Sequence, residues 1–396
     1  MGRKKKEGKR EKGVWGKQGF LYVIIPKKGK VGQSSWIATS LEDKPENIKK
    51  AVLFRESLLN KPTGSLDLNI TVREFVFEYV KRKERTSAAT VKSTNYYRGK
   101  RIAEFYEEKK LKTLTKEDVE EFLDDCFEPN NPNHRKCCTR TVDDYKAFFQ
   151  SVMDMAVEEG LILSNPVRDA VLNKELEHKN MSPNKDDDFF SYDEAMHFLE
   201  IVKNHPLRDL FYTMLFFGLR REEVLGIRWS CVDLINKRLL IAHTVVKGLH
   251  GVCRDDGTKT PESADTFPLT DEQVEMFKRI KHKEAEYRAL FGDSYFESDY
   301  VFKHEDGSLF YPDYPTDAFR KIIERNPDLP QEITVYGLRA SCISILVHAG
   351  ADIKSIQAWA RHKDIQTTLK YYAKVKERES KQQILEQMSG LIDKKI

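Results

Sequence analysis

Apolar positions in the first sixty residues run in β-type stretches before they begin to recur at helical spacing. Residues 20–26 read FLYVIIP and residues 34–40 read SSWIATS, joined by the turn-like KKGKVG. The stretch ENIKKAVLFRESLLN that follows has helical character. Residues 14–60 are therefore expected to form a small unit, a β-hairpin packed on a helix.

From 65 to 170 the pattern turns wholly helical. Apolar residues recur at helical spacing through FVFEYV, VEEFL and YKAFFQSVMDMAV. Thr71-Val-Arg-Glu74 and Thr115-Lys-Glu-Asp118 match the capping box, in which the first side chain and the fourth satisfy each other's backbone N–H groups. One helix is predicted over 91–110, and Asn165-Pro166 is expected to end the module. Residues 171–190 are polar and charged and read as an interdomain linker.

Residues 191–396 form a third unit. Helices are predicted at 191–203, 206–217, 221–228, 270–290, 334–349, 353–361 and onward from about 365. Residues 238–246 and 266–269 are expected to make a β-hairpin. The last stretch places Ile384, Leu385, Met388, Leu391 and Ile392 on one helical stripe. The predicted fold class is mainly α with small β-sheets (α+β).

Composition narrows the function. A chain of 396 residues is long enough for two or three domains. The longest apolar runs, such as LFYTMLFFGL, are too short to span a bilayer, and no signal-peptide pattern follows the basic N-terminus. The six cysteines show no CxxC pair, so a reduced, intracellular protein is the expectation. His134 with Cys137 and Cys138 lacks a second ligand pair at zinc-like spacing, so no metal is expected.

The net charge of +4 is small, but its placement is uneven. The first twelve residues hold seven Lys or Arg against two Glu. Lys92, Arg98, Lys100 and Arg101 lie beside Tyr96 and Tyr97, and Arg135, Lys136 and Arg140 form a second cluster. Most basic helix faces are merely solvated. Two in one helical module favour contact with a phosphate backbone.

Five residue types then occur in an order that suits one chemistry: Arg220, Lys259, Arg339, His362 and a tyrosine at 371 or 372. Arg220 follows Gly218-Leu219, where an apolar helix must stop, and glycine suits a helix C-terminus. Guanidinium matches phosphate bidentately and stays charged. Lys259, in a turn before a strand, can protonate a departing 5′ oxygen. Arg339 is expected on the polar side of a helix whose apolar face holds Val335, Leu338, Cys342, Ile343 and Leu346. His362 can hydrogen-bond a phosphate oxygen or help move the tyrosine proton. A tyrosine phenolate can attack phosphorus and store the bond energy as a phosphotyrosine. Each residue alone reads as an ordinary surface or structural group; the ordered set does not.

These residues and their surroundings resemble the tyrosine recombinase (phage integrase) family. The likeness is close at GLRREEVLGIRWS, KTPESADTFPL and GLRASCISILVHAGADIKSIQAWARHKDIQTTLKYYAKV. It extends over nearly the whole chain if 1–62 is an arm-type DNA-binding domain and 65–170 a core-binding helical domain. The resemblance implies that Arg220 and Arg339 are the catalytic arginines, Lys259 the general acid and His362 the last histidine before the nucleophile. It implies that Glu223 buttresses Arg220. Two departures stand out. Tyr336 occupies a position usually held by histidine, and Ala360-Arg361 replaces a usual Leu-Gly. The nucleophile lies nine or ten residues after the histidine. Ala373-Lys374-Val375 resembles the family's following segment and favours Tyr372, with Tyr371 the alternative.

The implied function is a site-specific recombinase that integrates and excises a mobile element without metal, ATP or another cofactor. Implied partners are double-stranded DNA at core-type and arm-type sites, further copies of the chain, as a tetramer in synapsis, and optionally an excision factor. No membrane partner is expected, and the implied location is the cytoplasm of a bacterium, at the nucleoid. Two other readings weigh less: a type IB topoisomerase with the same chemistry, and a DNA-binding regulator that kept the fold but not catalysis, for which Tyr336 is the best support.

Overall fold

The structure is a computed structural model and describes residues 8–26, 34–60, 69–181, 189–249, 251–255 and 265–392. The chain divides into two compact units, Met1–Pro183 and Asn184–Ile396.

The first unit opens with an antiparallel sheet in chain order: β1 (Gly8–Glu11), β2 (Val14–Lys17), β3 (Phe20–Pro26) and β4 (Ser34–Glu42). Strands β1 and β2 add to the predicted hairpin. They are too short to announce themselves; β2 pairs with β3, and β1 with β2. Helix α1 (Pro45–Asn60) covers one face, where Val14, Leu21, Val23 and Ile37 pack with Ala51 and Phe54. The other pleat carries Trp15 paired with Tyr22 and Ile24 paired with Trp36, with the two indoles edge to face at 5.7 Å.

The helical part comprises α2 (Val72–Glu84), α3 (Ala89–Phe105), α4 (Lys116–Phe127), α5 (Thr139–Glu158), α6 (Pro166–Asp169) and α7 (Lys174–Lys179). Both capping boxes form as expected. Helix α3 stops at Phe105, short of 110, because the backbone beyond it is recruited elsewhere. Val72 N–H donates to the Lys109 carbonyl and Leu111 N–H to that of Ile70. Nor does Asn165-Pro166 end the module. Asn165 caps α6, donates to the Gln150 carbonyl and leads into the fully buried Val167.

The expected linker is shorter than its composition suggests. Leu172, just before α7, and Leu176 within it pack on the helical core, and Thr139 Oγ1 donates to the Glu177 carbonyl at 2.9 Å. Phe189 and Phe190, at its other end, are buried in the second unit.

That second unit contains α8 (Tyr192–Ile201), α9 (Arg208–Phe217), α10 (Arg221–Leu225), β5 (Val232–Asp233), β6 (Arg238–Ile241), β7 (Thr244–Gly248), β8 (Gly251–Asp255), β9 (Asp265–Pro268), α11 (Asp271–Phe291), α12 (Tyr314–Arg325), α13 (Gly337–His348), α14 (Ile353–Ala360) and α15 (Ile365–Ile392). The predicted 238–246 strand is broken in two. Strand β6 pairs with β5 and β9, whereas β7 turns back on β8. The break lies where His243 meets Gly226. A Cβ on Gly226 would stand 2.2 Å from the His243 carbonyl oxygen, so only glycine allows that approach. Helix α12 was not predicted, although Phe319, Ile322 and Ile323 mark its buried stripe.

Helix α13 lies between two cores. Leu338 belongs to the larger one, while Ala340, Ile343 and Val347 belong to a second with Ile356, Ala360 and Val375. It therefore has no solvent face along most of its length. The α+β class with small antiparallel sheets is as the sequence indicated.

Candidate active site

The site begins where α9 ends. Gly218 adopts the left-handed conformation at φ 59°, which turns the chain towards α10. The last carbonyls of α9 need donors that the helix cannot supply. Trp359 Nε1 and Cys342 Sγ both reach the Phe216 carbonyl, and Arg339 Nη1 reaches that of Gly218.

Arg220 is the residue before α10. Its N–H donates to Glu223 Oε2 at 2.9 Å and its Nη1 to Oε1 at 2.9 Å. The guanidinium is thus held by a residue one turn ahead in its own helix, with its side chain 44% exposed. The expected buttressing by Glu223 has a concrete geometry.

Arg339 is not on a polar helix surface, as expected, but only 7% exposed. The flaw in the expectation was to assign α13 a single apolar face. Its Nη2 donates to the Ala360 carbonyl, so one guanidinium bridges the ends of α9 and α14. Burial lowers its pKa to about 10, helped by the nearby positive charges of Arg220 and Arg361 and opposed by Glu223. It remains a cation at neutral pH.

Arg361 entered the sequence reading only as part of a departure from a usual Leu-Gly, with no role assigned. It ends α14 in a left-handed conformation and its Nη2 donates to Glu223 Oε2 at 2.5 Å. The one signal in the chain was an arginine at a helix end where glycine is usual.

Glu223 thus serves Arg220 and Arg361 together. Burial raises its pKa, but Arg361, the Arg220 backbone and the Arg220 charge outweigh that and hold it below the usual range. For Arg220 the balance runs the other way: burial pulls down, the Glu223 charge and hydrogen bond pull up, and the net shift is upward. Three guanidiniums around the Glu223 carboxylate leave the cluster net positive.

His362 follows Arg361. Its Nδ1 lies 2.9 Å from Thr368 Oγ1, and Gln357 Nε2 donates to its carbonyl. Burial, then Arg339, Arg220 and Arg361, lower its pKa to about 4, so the imidazole is neutral at neutral pH. Tyr336, just before α13, is 54% exposed. Burial of the hydroxyl and the charge of Glu222 raise its pKa against Arg220 and Arg339, so it is a neutral phenol beside both arginines.

Tyr371 and Tyr372 lie on α15 and both pack partly on the smaller core. Tyr371 sets its ring edge-on against Phe189 at 6.5 Å. Lys259 lies outside the described residues, in the segment between β8 and β9.

The proposed DNA-contacting residues of the first unit fall into two groups. Arg101 is buried and ion-paired with buried Asp125 at 2.6 Å, which corrects its assignment to a phosphate-facing surface. Arg135, Lys136 and Arg140 are exposed, and Lys92 is half-buried. Glu104 receives both Lys100 and His134, which draws the loop before α5 against α3 and makes the two basic clusters neighbours. Arg98 pairs with Asp144 at 2.7 Å. His134 is therefore engaged by a carboxylate. Among the described residues no cluster of three His, Cys, Asp or Glu could hold a metal, and no helix is long and apolar enough to cross a membrane.

Residues 188–379 match the phage integrase family and residues 71–175 the phage integrase SAM-like domain. A XerC-like tyrosine recombinase from Caldanaerobacter subterraneus subsp. tengcongensis is 23% identical over 350 residues, 83% of this chain and 86% of its own. The Tn1549 transposon integrase in complex with a circular intermediate DNA superposes with a TM-score of 0.61 at 17% identity, over 79% of this chain and 99% of that one. A lambda integrase tetramer bound to a Holliday junction gives 0.52 at 13% identity, over 90% and 96%. At such identities the structural likeness speaks for the fold, and the geometry above must carry the chemistry.

Proposed function

The chain belongs to the tyrosine recombinase (phage integrase) family, and on that premise we propose a site-specific recombinase that integrates and excises a mobile element through a 3′-phosphotyrosine intermediate. The observation that carries the reading is the cluster of Arg220, Arg339 and Arg361 around the single carboxylate of Glu223. Its excess of positive charge suits a phosphodiester, and suits still better the dianionic five-coordinate phosphorus formed during attack.

Tyr372 attacks the scissile phosphorus. The bond from its oxygen forms as the bond to the 5′ oxygen breaks. His362, neutral and held through Nδ1 by Thr368, accepts or relays the phenolic proton. Lys259 supplies a proton to the 5′ oxygen, since an alkoxide leaves poorly. Arg220 and Arg339 hold the non-bridging oxygens, and Tyr336 donates a hydrogen bond where a histidine is usual. Reversal by a 5′ hydroxyl reseals the strand without ATP. Both tyrosines pack partly on the smaller core, and the edge-on contact of Tyr371 with Phe189 leans the assignment towards Tyr372.

Lys92, Arg98, Lys100, Arg135, Lys136 and Arg140 contact the DNA backbone at the core-type site. The aromatic face of the β1–β4 sheet is available for an arm-type site. Cleavage of two duplexes needs several copies of the chain, a tetramer in synapsis, and the end of α15 is the segment proposed to dock on a neighbouring copy. The side chains of Ile384, Leu385, Met388, Leu391 and Ile392 lie outside those described. An excision factor and a place in the bacterial nucleoid fit this role.

The test is a nicked suicide duplex carrying the junction of the element's ends, incubated with wild type, Tyr371→Phe and Tyr372→Phe. A denaturant-stable adduct lost only in Tyr372→Phe is the expected result. Binding without any adduct would favour a non-catalytic regulator.

A further inference from the structure

Arg361 occupies a backbone position that an arginine is ill suited to fill. Its φ of 52° and ψ of 48° are left-handed, a region that glycine enters without steric cost and a long side chain does not. Such conformations persist when surrounding contacts over-determine them, and they cluster at functional sites. Here the contacts are on the page. The side chain is only 12% exposed, its Nη2 lies 2.5 Å from Glu223 Oε2, and its guanidinium stands 5.7 Å from the Phe267 ring centre. Phe267 is on β9, at the end of the segment that bears Lys259.

The partner of that contact is the carboxylate that holds Arg220. Glu223 gives Oε1 to the Arg220 guanidinium and Oε2 to the Arg220 N–H and Arg361. Without Arg361, the second oxygen keeps only the Arg220 N–H and has a lone pair left for the Arg220 guanidinium as well. A bidentate pair of that kind is strong and would use donors that a phosphate needs. Arg361 is also the immediate neighbour of His362 in the chain.

Resting on the recombinase reading, we propose that Arg361 is a positioning residue for strand cleavage. By occupying one oxygen of Glu223 it keeps part of the Arg220 guanidinium available to the scissile phosphate. It also ties the start of α10 to the loop that carries His362. It acts through Glu223 and need not touch DNA.

The experiment compares wild type, R361G, R361K, E223Q and E223Q/R361G in full-length protein. The readouts are duplex affinity, melting temperature and the single-turnover rate of adduct formation on the nicked duplex. R361G removes the backbone strain and is expected to fold and bind DNA as wild type does. Its cleavage rate should fall about tenfold to a hundredfold, as losing one hydrogen bond to a charged group allows. R361K should recover part of the rate. In the E223Q background R361G should cost little more, because the residue it acts through is already disabled. If wild type cleaves and R361G matches its rate, the role of Arg361 is refuted while the recombinase reading stands. Full additivity of E223Q and R361G also refutes it, and does so even if R361G melts early. If wild type forms no adduct, the recombinase reading fails and this role falls with it.

Discussion

Arg339 donates Nη1 to the carbonyl of Gly218 at 2.5 Å, joining residues 121 positions apart. The same guanidinium reaches the Ala360 carbonyl, so it is a structural clamp as well as the proposed phosphate ligand. Arg339→Ala is expected to slow cleavage by about 10²–10³, the usual loss for one donor to a developing charge. It should also lower the melting temperature, since two inner carbonyls lose their donor at about 1–3 kcal/mol each. Arg339→Lys keeps the charge and one contact, so it should melt nearer wild type and still cleave slowly. Single-turnover adduct formation beside a thermal melt separates the two effects. Wild-type cleavage by Arg339→Lys would contradict the assignment.

His362 should behave as a neutral imidazole across the physiological range. Its folded pKa of about 4 lies below the ordinary 6.5, because burial and three arginines disfavour its charge. The unfolded chain takes up a proton as pH falls through 6.5 while the native state does not. This group therefore withdraws stability as pH falls from about 6.5 towards 4, and has no further effect below. Histidine-selective NMR titration should find one resonance that does not titrate above pH 5. Duplex binding should raise its pKa, because phosphate offsets the arginine field. A midpoint near 6.5 in free protein would contradict the packing described.

Tyr336 tests the use of a phenol in place of imidazole. As a neutral donor beside Arg220 and Arg339, it should lose its function in Tyr336→Phe, with cleavage slowed about tenfold or more. Tyr336→His should retain cleavage. DNA affinity should change little in either. Equal rates for Tyr336→Phe and wild type would show that the hydroxyl makes no contact in the transition state.

Arg101 and its basic neighbours should separate cleanly. Arg101→Ala leaves Asp125 charged in a buried place and should cost about 3–5 kcal/mol of stability. Arg135→Ala, Lys136→Ala and Arg140→Ala should leave the melting temperature alone and weaken duplex binding. Each loss of a phosphate contact should reduce the slope of log affinity against log salt by roughly one. Unchanged slopes would remove that cluster from the interface.

Removal of residues 380–396 should leave binding to a single core site intact and abolish higher assemblies on DNA. Gel-shift stoichiometry measures both, and unchanged assembly would exclude a docking role for the end of α15.

Local rules in the sequence were enough for much of this molecule. The capping boxes at Thr71 and Thr115 are made from residues three apart, so the chain declares them without tertiary help. Gly218 stops α9 for the same kind of reason. Residue types and their order likewise singled out Arg220, Arg339, His362 and the tyrosine pair as candidates, since the proposed chemistry demands those groups. Only the tertiary structure decided where the guanidiniums point. Arg101 and Arg339 read as surface cations because helical periodicity assigns each helix one buried face. A helix packed on both sides breaks that rule, and its polar residues must then find partners far along the chain. The pairing of Arg361 with Glu223 spans 138 positions, and no local pattern carries such a contact. It follows from the start of α10 and the end of α14 meeting at one place, beside α13 packed between two cores.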